Sequence, residues 1–194
     1  MERKKILIVL GNPCKESFNR VLFEEYINGA KEGEHQIRTI DLSKLKFDPI
    51  LWEGYKKNQE LEPDLKRAQE DILWSNHIVF VFPVWWGGLP AIMQGFIDRT
   101  FTPGFAFKYK KNSIMPEKLL KGRSARLIIT SGSETYIYAL IGGIPIIRAM
   151  KVLTLWLCGI MPTRITKIGY ARDISEKKFK KILEKIRILG EKGI

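Results

Sequence analysis

The chain has 194 residues, 45% of them hydrophobic, which suits one domain, residues 1–194, with an ordinary core and rules out wholesale disorder. Lys and Arg number 33 against 21 Asp and Glu, a formal net charge of +12 that favours anionic partners without choosing among nucleic acid, an acidic surface and a phosphate-bearing small molecule. Its two cysteines, Cys14 and Cys158, are far apart and lack metal-ligand spacing, so neither a disulfide framework nor a zinc site is expected.

Lys4 to Leu10 is a continuous apolar run that stops at Gly11-Asn12-Pro13, the pattern of a strand buried on both faces. From Ser17 an amphipathic helix is expected, with Val21, Leu22, Tyr26 and Ile27 at helical spacing. His35 to Leu42 reads as a second, shorter strand. Ser43 to Glu62 has the composition of a surface excursion shielding one side of a site. Pro63 then opens a helix to Ser75, since proline at the first helical position loses no needed hydrogen bond. His77 to Phe82 is a buried strand bounded by Pro83, followed by a helix over Leu89 to Phe101. Ala125 to Thr130 is a fourth strand, with a helix over much of Ile144 to Gly159. Arg164 to Gly169 is a weaker fifth strand, and Ser175 to Leu189 a last helix with lysines on its outer face.

Alternating strands and helices imply a doubly wound α/β fold, a parallel five-stranded sheet of order 2-1-3-4-5. In such sheets ligands bind beyond the carboxyl ends of the strands where the winding reverses, so the loops after the first, third and fourth strands matter most. The first, Gly11 to Asn19, offers Ser17 and Asn19 at a helix start to a phosphate, or Ser17 as a plain helix cap. The next, Pro83-Val84-Trp85-Trp86-Gly87-Gly88, offers planar walls and bare backbone to a flat ligand, or two core tryptophans. Thr130-Ser131-Gly132-Ser133 offers donors to a polar ring edge, or an ordinary turn. Together they make a phosphate grip, an aromatic platform and a polar rim, the three parts that FMN needs.

At these residues, and over most of its length, the chain resembles the NAD(P)H:quinone reductase family of flavodoxin-like flavoproteins. Ser17-Phe18-Asn19 looks like the family's phosphate loop, and Pro83 to Ala91 like its isoalloxazine loop. Gly95-Phe96-Ile97-Asp98-Arg99 resembles the helix that follows, and the likeness continues through Gly104-Phe105-Ala106-Phe107-Lys108-Tyr109 and the Thr130-Ser131-Gly132 turn. The resemblance implies flavin binding by Ser17, Phe18, Asn19, Pro83, Val84, Trp85, Trp86, Gly87, Thr130, Ser131, Gly132 and Tyr138, with Tyr138 also a proton partner. It implies FMN, with FAD the alternative, in a homodimer with sites at the subunit interface. Reduced NAD(P)H gives a hydride to the flavin and leaves, and a quinone or similar small aromatic acceptor takes it, a ping-pong exchange.

The chain also departs from that family. Ile144 stands where better-known members carry a histidine, and Phe107 where some carry a tyrosine. His35 and His77 lie at strand starts and are expected to be structural. A flavin-binding regulatory or ancillary subunit that docks on a membrane-associated partner with little turnover is the alternative. Cys14 to Arg20 also fits C-x5-R, a phosphatase loop, but without its glycines. Basic residues are spread along the chain without a nucleic-acid motif, so nucleic acid is not the expected partner. Ile137 to Met161 is apolar but broken by Gly142, Gly143, Pro145, Arg148 and Lys151, so a buried or subunit-facing surface is expected rather than a membrane span. With no signal peptide legible after Lys5, a cytoplasmic location is expected.

Overall fold

Five parallel strands form one sheet in a computed structural model that describes residues 2–111, 113–132, 145–169 and 174–194. In chain order the elements are β1 (Lys5–Leu10), α1 (Phe18–Glu32), β2 (Gln36–Asp41), α2 (Pro63–Trp74), β3 (His77–Pro83), α3 (Ala91–Thr100), β4 (Phe107–Lys108), β5 (Glu117–Lys118), β6 (Ser124–Thr130), α4 (Pro145–Arg148), β7 (Thr163–Ile168) and α5 (Glu176–Glu191). The sheet order is β2-β1-β3-β6-β7, the expected 2-1-3-4-5 once the small antiparallel β4–β5 pair is set aside.

The continuous apolar runs are explained by helices on both faces. Ile6, Ile8 and Leu10 of β1, with Val79, Val81 and Ile128, pack against Leu22 and Tyr26 of α1 and Ile186 of α5. The alternate residues Leu7 and Val9, with Phe80, Phe82 and Leu127, pack against Leu65 and Ile72 of α2 and Met93 and Phe96 of α3. Both sets are buried, and each such side chain contributes roughly 1.5–3 kcal/mol. On the first face, α1 and α5 meet backbone to backbone: a Cβ on Gly29 would lie 1.9 Å from the Arg187 carbonyl oxygen, and one on Gly190 2.3 Å from that of Tyr26.

One element differs from expectation. The helix expected over much of Ile144 to Gly159 is α-helical at α4, continues as a π-helix, Ala149–Trp156, and returns to α-helix at Leu157 and Cys158. Within it the Thr154 hydroxyl donates to the Ala149 carbonyl five residues back, 3.2 Å. The excursion after β2 is pinned to α3 by Arg99, whose side chain is 1% exposed. Its guanidinium donates to Glu62 Oε2 (2.9 Å), to the Glu60 carbonyl (2.9 Å) and to the Asp48 carbonyl. Burial works against the Glu62 charge, but the Asp48 N–H and Arg99 hold its carboxyl below the usual range.

His77 is structural, as expected. It is 1% exposed, with Nδ1 2.7 Å from Ser124 Oγ, and burial followed by the positive charges of Lys4, Arg126 and Arg164 pushes its pKa down to about 3. A base whose folded-state pKa lies below its unfolded value near 6.5 takes up its proton preferentially on unfolding, so its burial favours the fold above that unfolded value and loses ground as pH falls from there toward 3. Lowering the pH from 7.5 to 5 is therefore expected to destabilise the native chain by about 2 kcal/mol more than a His77→Gln variant. Urea midpoints at both pH values measure this, and equal pH slopes would remove His77 as the cause.

Candidate functional site

Loops from β1, β3 and β6 meet at the carboxyl edge of the central strands. Ser17 caps α1 in extended conformation (φ −154°, ψ 151°), its hydroxyl accepting from the Arg20 N–H at 3.3 Å. Capping and presentation of the helix start are thus one arrangement, because the cap fixes where the remaining first-turn N–H groups point. Arg20 in turn ties this loop to the end of β2, donating to the Lys15 carbonyl (2.7 Å) and pairing with Asp41 (2.9 Å). Burial raises the Asp41 pKa, but the bonds from Arg20 and Ser43 outweigh it and leave the carboxyl below its usual range. Since Arg20 is engaged in this way while Cys14 is exposed, the C-x5-R spacing does not form a phosphatase cradle.

Asn19 joins two of the loops. It is 3% exposed, and its Oδ1 accepts from Asn12 Nδ2 (3.1 Å) and from the Thr130 hydroxyl (3.1 Å), 111 residues away. Asn12 Oδ1 accepts from the Cys14 N–H at 3.0 Å, which shapes the loop. The Asn19 Nδ2 is buried and has no hydrogen-bond partner. A donor so placed costs roughly 1–3 kcal/mol if nothing accepts from it. An acceptor at the helix start, where the dipole favours negative charge, would satisfy it.

The β3 loop is joined to β6 by the Val84 N–H, which donates to the Thr130 carbonyl at 2.8 Å. It then turns tightly: Trp85 and Gly88 exchange both backbone bonds (3.1 and 2.9 Å) around Trp86 (φ 51°) and Gly87 (φ 76°). This is a two-residue turn with both central φ values positive, a conformation that suits glycine and strains tryptophan by about 1 kcal/mol. Trp85 is 42% exposed and Trp86 fully exposed. The tryptophans therefore do not fill the core. They stand as a platform at the loop tip, and Gly87 leaves open space beside it.

In the third loop Thr130 and Ser131 are buried. The Ser131 N–H donates to the Ile168 carbonyl at 3.0 Å, so it continues the sheet ladder, while a Cβ on the following Gly132 would meet nothing within 4 Å. Ser17, Val84, Trp85, Trp86, Gly87, Ser131 and Gly132 thus lie in the three loops at this edge, and Phe18, Asn19, Pro83 and Thr130 at the ends of the helix and strands that flank them. Tyr138 and Ile144 lie outside the described residues. Asn12 was not singled out from the sequence, although Asn12-Pro13 is a turn signal. The residues present fit a flavin phosphate and ring: an unmet buried amide and a capped helix start for the one, an exposed aromatic turn and bare glycine backbone for the other.

A doubly wound sheet with its loops so arranged defines a flavodoxin-like α/β protein. The chain belongs to that family: a family model described as flavodoxin-like fold matches residues 4–189. It is 28% identical over 159 residues to NAD(P)H dehydrogenase [quinone] 1 of Cavia porcellus, covering 72% of this chain but 57% of that relative's length. It is 28% identical to an uncharacterized NAD(P)H oxidoreductase of Haemophilus influenzae, covering 92% of this chain and 90% of the relative. Among solved structures, Smu.1420 from Streptococcus mutans is 30% identical with a TM-score of 0.79, covering 96% of this chain and 98% of that one. These likenesses agree with the resemblance read from the loops. No helix among the described residues is long and apolar enough to cross a membrane.

Proposed function

We propose that the chain is a flavin-dependent NAD(P)H oxidoreductase that passes a hydride from nicotinamide through FMN to a quinone or similar small acceptor by a ping-pong mechanism. The observation that carries this reading is the buried, unpartnered Asn19 Nδ2 beside a capped helix start, next to a strained, exposed tryptophan turn. The names of the Cavia porcellus and Haemophilus influenzae relatives support the same activity. When bound, flavin would supply the ring that accepts and gives up hydride. The protein's part is binding and orientation. Ser17 and Asn19 hold the phosphate, Trp85 and Trp86 fix the ring plane and keep water from its face, and Gly132 donates to the ring's polar edge. Tyr138 holds or releases a proton at its hydroxyl oxygen.

The protein is further proposed to act as a homodimer. Val152, Leu153 (63% exposed), Trp156 and Met161 (55% exposed) leave the π-helical side apolar, and burial of such a surface favours association. Light scattering should give twice the mass of one chain.

The deciding experiment is mass spectrometry of the cofactor released from denatured holoprotein, with stopped-flow reduction by NADH or NADPH and reoxidation by a quinone. Released FMN and parallel double-reciprocal lines are expected. Protein that stays colourless after incubation with FMN or FAD would overturn the reading, and a stable flavoprotein with negligible turnover would favour the docking subunit. Trp86→Ala is expected to weaken FMN binding about tenfold through loss of ring stacking. Its melting temperature should not change, because the side chain is fully exposed. A flavin titration with a thermal melt reads both.

A further inference from the structure

The direction in which the Asn19 amide points is decided outside Asn19. It begins at the Cys14 backbone N–H, which can only donate and which Asn12 Oδ1 accepts at 3.0 Å, an Asx turn. Pro13, between them, has no N–H to compete for that oxygen. With Oδ1 committed, Asn12 presents Nδ2 on its other side, and this donates to Asn19 Oδ1 at 3.1 Å. Nδ2 is therefore the free end of the Asn19 amide, buried and without a partner. The Thr130 hydroxyl, 3.1 Å from Asn19 Oδ1, follows rather than leads, since a hydroxyl can donate or accept and would serve either orientation. Asn12, Asn19 and Thr130 are all buried, so bulk water offers no alternative partners that would let the amides turn over.

We propose that Asn12 is a positioning residue that makes the start of α1 selective for a phosphate monoester. It acts through Asn19: the polarity of one backbone N–H is passed along two side-chain amides and emerges as a donor. A phosphate oxygen accepts from that donor with the strength of a charge-assisted bond, whereas a neutral hydroxyl in its place offers a weaker one. Within the flavin reading, on which this inference rests, Asn12 makes the chain prefer FMN to riboflavin. Asn12→Asp reverses the relay. One carboxylate oxygen still accepts from the Cys14 N–H, but the other now faces Asn19 Oδ1, acceptor against acceptor. The Asn19 amide turns over to give its Nδ2 to the carboxylate, Thr130 adapts by accepting, and Oδ1 is left facing the phosphate position.

The test is a double-mutant cycle read as the ratio of FMN to riboflavin affinity, from flavin fluorescence titrations of the full chain. Asn12→Asp is expected to lower that ratio about 30-fold. In an Asn19→Ala background the same substitution should lower it by no more than about threefold, because the residue it acts through is gone. An unchanged ratio in folded Asn12→Asp protein overturns the proposal. So does an equal loss in both backgrounds, which would mean that the new charge acts on the phosphate directly. A second readout needs no flavin: the Asn19 side-chain NH2 resonance of 15N-labelled protein, titrated with inorganic phosphate and identified by its loss in Asn19→Ala. It should shift saturably in the native chain and stay still in Asn12→Asp. That result in a chain that binds neither flavin would remove the flavin reading and leave Asn12 its role. No shift in the native chain, or equal shifts in both proteins, would remove the role itself.

Discussion

An Asn19→Asp variant is expected to fold and to lose its flavin. Aspartate keeps an oxygen where Oδ1 accepts from Asn12 and Thr130, so the link between the first and third loops survives. What changes is the atom that lacks a partner in the native chain, Nδ2, where a donor gives way to a negatively charged oxygen. A phosphate then meets repulsion where it met a hydrogen bond, and the expected loss is about 100-fold in FMN affinity, roughly 3 kcal/mol. Quenching of flavin fluorescence on titration gives the affinity, and circular dichroism checks the fold. Folded Asn19→Asp protein that retains FMN as the native chain does would remove Asn19 from the site and with it the main support for the phosphate position.

For stability the largest effect is expected at the crossing of α1 and α5. A side chain at Gly29 meets the Arg187 backbone at 1.9 Å from its very first carbon. Backbone cannot rotate away as a flexible side chain can, so the helices must separate and give up packing on that face. Gly29→Val is expected to destabilise by about 3 kcal/mol or more, a large part of the roughly 5–15 kcal/mol that holds a typical domain together. Gly190→Val acts on the same crossing, so the double variant should lose less than the sum of the two. Urea unfolding of the three variants measures both effects, and full additivity would show that the two glycines do not share one contact.

The sheet was legible because its strands announce themselves: Ile6–Leu10 and Ile78–Phe82 are unbroken apolar runs, and β6 is one apart from Arg126, the pattern of strands covered on both faces. The loops were legible from their position at the ends of those strands. Other features left no local trace. Strands of two residues such as Phe107–Lys108 and Glu117–Lys118 are too short to show alternation. Arg99 reads in sequence as a surface charge, and only the folded chain brings Glu62 and two carbonyls to it. The Asn19–Thr130 bond spans 111 residues, and no pattern within a window of sequence reports a partner so remote.

The same crossing of α1 and α5 bears on synthesis. Glu32 and Arg187, bonded across it, are 155 residues apart, so on the ribosome α1 emerges long before the helix that covers it. Through most of translation Leu22 and Tyr26 lack the cover that Ile186 of α5 gives them in the folded chain. Proteolytic clipping of the carboxyl-terminal helix in the finished protein would re-expose the same stripe, making that helix the last fastening of the fold and its most exposed point of failure.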